Sequence, residues 1–227
     1  MARYFVIEGL IGVGKTTLCR LIRDRWGARL ILEPAADNPF LAAFYHDKER
    51  YAFPAQMFYL ATRYAQQAEL RQGELFDEMI VADYLFDKDR LFAEQTLVGH
   101  ELDLYERFAS HLGATIVRPE FVLFLDSPTD VVIERIGRRA ISAEQVIEPE
   151  YLDSLRDAYH RLWARYKDAP VYILDTQGLN YVDSEADRLV VLEMIRGWLD
   201  GRPVPGSPAS VHAEREEMPN LFSPGAT

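Results

Sequence analysis

Tyr4-Phe5-Val6-Ile7-Glu8-Gly9-Leu10-Ile11-Gly12-Val13-Gly14-Lys15-Thr16-Thr17 is the stretch on which the fold turns. Its first five residues are apolar, aromatic or β-branched up to Glu8, as in a strand buried on both faces. Gly9 to Thr16 then matches G-x-x-x-x-G-K-[ST], and an amphipathic helix pattern follows at 15–26. Strand, glycine loop and helix in that order make a phosphate cradle. The glycines let successive backbone N–H groups converge, and the helix N-terminus adds partial positive charge. Lys15 supplies a compact ammonium for terminal phosphates, and the Thr16 hydroxyl suits Mg²⁺. The stretch therefore reads as a site for ATP or GTP, and leaves the phosphate acceptor open.

The same alternation runs outward along the chain. Tyr4–Glu8, Arg29–Leu32, Met79–Ala82, Phe121–Leu125 and Val171–Leu174 read as buried strands. Helix-length patterns fall at 15–26, 38–47, 51–72, 88–111, 128–139, 150–167 and 184–199, with Pro54 and Pro128 in first turns. Strands alternating with helices predict an α/β fold of three layers, a five-stranded parallel sheet covered by helices on both faces. From Gly201 to Thr227 the chain turns rich in Pro, Gly and Ser and loses periodicity, as expected of a flexible tail. One domain over 1–200 with a tail over 201–227 is the expected organisation, and 227 residues fit a single domain of about 150 or more.

Composition narrows the partners. Lys and Arg total 25 against 36 Asp and Glu, a net charge of −11, which disfavours nucleic acid spread over the surface. No apolar run approaches a membrane span, and the strand at Tyr4 leaves no room for a signal peptide. A lone Cys19 cannot form an internal disulfide and fits a reducing, cytoplasmic compartment. Arginines outnumber lysines 21 to 4, which reads as codon bias over most of the chain.

In open parallel sheets, ligands lie outside the carboxyl ends of the strands. Here those ends carry Glu33-Pro34, Asp83-Tyr84 and Asp126-Ser127 beside the phosphate loop. Acids next to bound phosphate suit a Mg²⁺ ligand or a base that takes a proton from an acceptor hydroxyl. Asp126, before Ser127-Pro128, reads as a helix N-cap. Arg135, Arg138 and Arg139 lead into a segment, 140–148, of little core pattern, which suits an arginine-bearing lid over phosphates or, alternatively, a solvated face. Gln56 and Arg63 lie seven apart, on one helix face, and a Gln amide can pair with a base edge in two bonds. Tyr45 reads as core or site.

These residues resemble a known family. The phosphate loop, Glu33-Pro34, Asn38-Pro39-Phe40-Leu41, Phe44-Tyr45, Gln56 with Arg63, Asp83-Tyr84-Leu85-Phe86 with Asp89-Arg90, and Tyr151-Leu152 are similar in order and spacing to the deoxynucleoside kinases, the bacterial deoxyadenosine/deoxyguanosine branch above all. The resemblance runs from about Tyr4 to about Lys167. It implies ATP bound by Gly9, Gly12, Val13, Gly14, Lys15, Thr16 and Thr17, and by the lid arginines Arg135 and Arg139. It implies Glu33 as general base on the 5′-hydroxyl of a deoxynucleoside, with Lys15, Arg135 and Arg139 stabilising the transferred charge. Mg²⁺ would sit on Thr16 and Asp83. Gln56, Arg63, Asp89 and Phe92 would form the base pocket, and Tyr45 and Glu144 would take the 3′-hydroxyl. A homodimer through the long helices is also implied.

The chain departs from the family in three places. Asp83-Tyr84-Leu85 stands where many relatives have Glu-Arg-Ser or Asp-Arg-Ser, so an arginine is missing. Arg138-Arg139-Ala140-Ile141 stands where relatives often have Arg-Gly-Arg. Leu125-Asp126-Ser127 looks more like a nucleoside monophosphate kinase. Two alternatives therefore stay open: a nucleoside monophosphate kinase such as a thymidylate kinase, with Lys48 and Arg50 for the acceptor's phosphate, and a non-catalytic nucleotide-binding regulator.

Overall fold

A computed structural model describes residues 2–73, 78–113, 115–139, 141 and 144–202. Its strands are β1 (Arg3–Gly9), β2 (Arg29–Ile31), β3 (Met79–Ala82), β4 (Val122–Asp126) and β5 (Val171–Asp175). Its helices are α1 (Lys15–Trp26), α2 (Leu41–His46), α3 (Lys48–Gly73), α4 (Lys88–Thr96), α5 (Gly99–Gly113), α6 (Thr129–Arg139), α7 (Pro149–Arg165) and α8 (Glu185–Leu199). The strands form one parallel sheet in the order β2-β3-β1-β4-β5.

Parity along β4 shows how the sheet is covered. Successive strand side chains point to opposite faces. Phe124 packs on Tyr159 and Trp163 of α7, while its out-of-phase neighbour Phe121 packs on Trp198 of α8. Helices thus cover both faces, and the strands between them are largely apolar, Phe5, Val6 and Ile7 having no exposed surface. A second apolar cluster, around Phe44, Leu60, Phe86, Leu97 and Tyr105, joins α2, α3, α4 and α5.

One acid lies inside this core. Glu8 has no exposed surface. Its Oε2 accepts from the Gly9 N–H at 3.0 Å and from the Tyr159 hydroxyl at 2.9 Å, and its Oε1 accepts from the Leu85 N–H at 2.6 Å. An unpaired donor at such depth costs about 1–3 kcal/mol. Glu8 satisfies three at once, and so fixes the start of the phosphate loop against α7 and the β3–α4 loop.

Four expectations need correction. The single helix expected over 88–111 is two, α4 and α5: Leu97 is extended, with φ −105° and ψ 148°, and Gly99 has φ +56°. Pro54 lies in the interior of α3 rather than its first turn, because Asp47 starts the helix earlier by accepting from the Arg50 N–H at 3.2 Å. Pro128 precedes α6, its carbonyl accepting from the Val132 N–H. Asp126 is no helix cap: its carboxylate takes a bidentate pair from Arg156 of α7, at 2.7 and 2.8 Å, with His160 at 3.4 Å. The expected tail lies, beyond Arg202, outside the described residues.

Candidate active site

The loop after β1 needs glycine for two separate reasons. Gly14 has φ +111° at the start of α1, and a Cβ there would strike the hydroxyl of Tyr181, which donates to the Val13 carbonyl at 3.1 Å. Gly12 has φ +81°, and a Cβ there would strike Ile136 of α6. Both positive φ values are costly for other residues. The Lys15 ammonium donates to the carbonyls of Gly9 and Leu10, each at 2.9 Å. Burial, with the like charge of Lys88 nearby, lowers it to about 8.

Asp83, at the end of β3, ties this loop to β2. Its Oδ2 accepts from the Thr16 hydroxyl and its Oδ1 from the Glu33 N–H, at 2.7 Å. Two hard oxygens, Thr16 Oγ1 and Asp83 Oδ2, therefore face each other beside the phosphate loop. That pair suits Mg²⁺, which takes one or two protein ligands and completes its shell with phosphate and water oxygens.

Glu33 stands at the centre of the site. Arg63 donates Nη2 to its Oε1, and Lys88 donates Nζ to its Oε2 at 3.1 Å. Burial pushes this carboxyl up, but Lys88 and Arg63, with Lys15, reverse that and hold it well below the usual carboxylate range. The guanidinium of Arg63 is shared: Nη1 goes to Asp89 Oδ1 and Nη2 to Glu33. Asp89 completes its own valences with the Tyr105 hydroxyl at 2.7 Å and, at its backbone carbonyl, Gln56 Nε2 at 2.8 Å. Arg63 and Asp89, which the family resemblance puts in one pocket, are therefore paired and buried, with further partners on both sides.

A cavity of about 330 Å³ opens over these groups, within the range of small-molecule sites. Eleven of the expected site residues line it: Gly12, Lys15 and Thr16 at the loop; Glu33 and Asp83 at the strand ends; Tyr45, Gln56, Arg63 and Phe92 from the helices; and Arg139 with Glu144 above. Asp89 sits behind Arg63 rather than on the wall. Gln56 and Arg63 face one way from α3, as their spacing requires. With Nε2 bound to Asp89, Gln56 keeps its oxygen and one amide hydrogen for a ligand. Glu144 Oε1 lies 3.4 Å from Arg139 Nη1, while its Oε2 is buried without a hydrogen-bond partner. Burial raises the Tyr45 hydroxyl beside it.

The lid arginines separate. Arg139 faces the cavity, and Arg138 pairs with Glu134 on the surface. Arg135 does not reach the cavity. It donates to the Val13 carbonyl, Ser127 Oγ and Thr176 Oγ1, and through Nη2 to the carbonyls of Thr176 and Leu179. It braces the back of the phosphate loop against the segment after β5. Of the remaining lid segment, residues 140, 142 and 143 lie outside the described residues.

Sequence reasoning missed Lys88 and Tyr105, and singled out Tyr84 only as a departure from the family pattern. Tyr84 donates its hydroxyl to Gln66 at 2.6 Å and lies under Arg63, 5.5 Å from ring centroid to guanidinium. The scarcity of lysine was a usable signal for Lys88, since only four occur.

Comparison with known proteins identifies the family. Residues 5–199 match the model of the family described as deoxynucleoside kinase. A deoxyguanosine kinase of Bacillus subtilis is 30% identical over 195 residues, covering 82% of this chain and 92% of its own. A deoxyadenosine/deoxycytidine kinase of the same organism is 27% identical over 188 residues, covering 79% and 85%. Among solved structures, a deoxyadenosine kinase of M. mycoides with bound dATP superposes with a TM-score of 0.72 at 23% identity, covering 85% of this chain and 99% of its own. The fold, the phosphate loop and the match over nearly the whole described chain lead to one conclusion: the chain belongs to the deoxynucleoside kinase family.

Proposed function

We propose that this enzyme transfers the γ-phosphoryl group of ATP to the 5′-hydroxyl of a deoxynucleoside, with purine deoxynucleosides preferred, deoxycytidine next and thymidine disfavoured. The observation that carries this is Glu33, an ionised carboxylate fixed between the phosphate loop and a wall without free charge. On that wall Phe44, Ala52 and Ala55 are apolar and Gln56 adds one amide. The small side chains of Ala52 and Ala55 leave width for a two-ring base. The names of the relatives, kinases of deoxyguanosine and of deoxyadenosine/deoxycytidine, support the same acceptors.

The step follows from the residues. The 5′-hydroxyl gives its proton to Glu33 as its oxygen bonds to the γ-phosphorus. The bond from that phosphorus to the bridging oxygen breaks, and ADP leaves with the electron pair. Lys15 and Arg139 bear on the spreading charge, which positioned cations stabilise without reorganisation. Backbone N–H groups of the loop leading from Gly9 to Thr17 cradle the phosphates, with the Gly9 N–H itself held by Glu8 and Arg135 holding the loop in shape. Thr16 and Asp83 would hold Mg²⁺, which would supply positive charge against the transferring phosphate. Buried Glu144 Oε2 awaits a donor, and the sugar 3′-hydroxyl supplies one, with Tyr45 beside it.

A nucleoside monophosphate kinase would need free cations for the acceptor's phosphate. Lys48 lies over the Tyr151 ring and Arg50 over Tyr51, neither lining the cavity. Arg63 and Lys88 are neutralised by Glu33 and Asp89. Both facts favour an uncharged acceptor.

The family's homodimer is proposed here too: Leu104 and Phe108, one turn apart on α5, are 43% and 48% exposed. Among the described residues no helix is long and apolar enough to cross a membrane. The single buried Cys19 suits a cytoplasmic setting, and the net charge of −11 disfavours nucleic-acid partners.

Three outcomes test this reading. Glu33→Gln keeps nucleotide affinity in calorimetry and loses turnover by about 10²–10⁴-fold; turnover near wild type removes Glu33 as the base. Lys15 is charged below about 8 and neutral above it, so the affinity of the free enzyme for ATP falls as pH rises through that value, again by calorimetry. Light scattering gives a mass twice the 26.1 kDa of one chain; a monomer at working concentration contradicts the dimer.

A further inference from the structure

The second oxygen of Glu33 has a partner that the family resemblance did not supply. Lys88 Nζ donates to Glu33 Oε2 at 3.1 Å, and among the described residues this is its one hydrogen-bond partner. The Lys88 side chain is 4% exposed. Its ammonium lies 5.3 Å from the centroid of the Phe92 ring, and both residues line the cavity. A lysine seldom lies so deep, because an ammonium stripped of water is costly unless a carboxylate compensates it.

Its place is built rather than incidental. Lys88 is the first residue of α4, and its N–H donates to the Leu85 carbonyl at 3.1 Å. The Leu85 N–H is in turn held by buried Glu8, and Asp83 at the start of the same loop is held to Thr16 and Glu33. Five residues of loop between β3 and α4 are thus anchored at both ends, and the lysine projects from the end nearer Glu33. Tyr84, in the same loop, is committed to Gln66. Arg63 cannot take over, since its two terminal nitrogens are divided between Glu33 and Asp89.

We propose that Lys88 is a positioning residue for phosphoryl transfer: by binding Oε2 while Arg63 holds Oε1, it fixes the Glu33 carboxylate in rotation and so sets how that carboxylate meets the acceptor hydroxyl. A carboxylate gripped by Arg63 on one oxygen alone can swing about its terminal torsions, whereas one gripped on both oxygens cannot. Orientation of this kind acts on the chemical step more than on substrate affinity. The inference rests on the reading of Glu33 as general base.

Steady-state kinetics of the full chain with ATP and deoxyadenosine, on wild type, Lys88→Met, Lys88→Arg and Glu33→Gln, test it. Lys88→Met should lower kcat by about ten- to a hundredfold, with both KM values within about twofold of wild type. Lys88→Arg, which restores a cation of similar reach, should recover most of the loss. A general loosening of the fold would move KM and melting temperature together and would not be rescued by charge. Should Lys88→Met fail to fold, Lys88→Gln carries the same test, keeping a polar side chain without the charge. A folded neutral variant with wild-type kcat, or a loss that Lys88→Arg does not recover, overturns the proposal. If Glu33→Gln turns over normally, the general-base reading fails instead. If Glu33→Gln is inactive while the neutral Lys88 variant is fully active, only the role of Lys88 falls.

Discussion

One buried guanidinium, Arg63, holds the two ends of the site together. It reaches Glu33 at the end of β2 with one nitrogen and Asp89 on α4 with another. Charges this deep are tolerated only when every one has a partner, because desolvation otherwise exceeds any attraction gained. Lys88 and the Tyr105 hydroxyl complete the set on either side. Two cations therefore meet two carboxylates, with Arg63, Lys88 and Asp89 buried and Glu33 partly open to the cavity. Removing one member would leave its neighbours charged and uncompensated. The path of α3 over the sheet, the start of α4 and the docking of α5 are thus bound to one electrostatic arrangement.

That arrangement would be inert without the sheet beneath it. Parallel strands deliver β1, β2 and β3 to the same edge, so the phosphate loop, Glu33 and Asp83 emerge side by side. Glu8 fastens the loop from below, and Arg135 braces it from behind. The phosphate end is built from backbone and cations and the far end from aromatic and small apolar groups, with the ionised Glu33 between them. An uncharged acceptor bearing a hydroxyl suits that polarity, and a second phosphate beside Glu33 does not.

Much of this was legible in the residues. The glycine loop with its flanking strand and helix identified the phosphate site, and strands buried on both faces announced the parallel sheet. Gln56 and Arg63 were placed on one face by spacing alone. Where local pattern misled, a contact distant in sequence decided the matter. Asp126 resembles a cap from its neighbours, yet Arg156, thirty residues on, takes its carboxylate. The break between α4 and α5 falls at Leu97-Val98, apolar residues that continue a helical pattern, so periodicity gave no warning. Arg135 and Arg139 lie one turn apart on α6, and only packing against Thr176 assigns the first to support and the second to the cavity. Lys88 was hidden by composition: a rare residue in an arginine-rich chain was counted as bias before its burial beside Glu33 gave it a role.

An uncharged deoxynucleoside accepting phosphate at the carboxylate of Glu33 is the reaction to which the site's polarity leads. The most direct measurement supplies γ-labelled ATP with each of the four deoxynucleosides, and with thymidine monophosphate, as sole acceptor, and locates the label in the product. It should appear at the 5′-position of deoxyadenosine and deoxyguanosine first, with deoxycytidine behind and thymidine last. Transfer to thymidine monophosphate alone, or to thymidine as the one good acceptor, would contradict it.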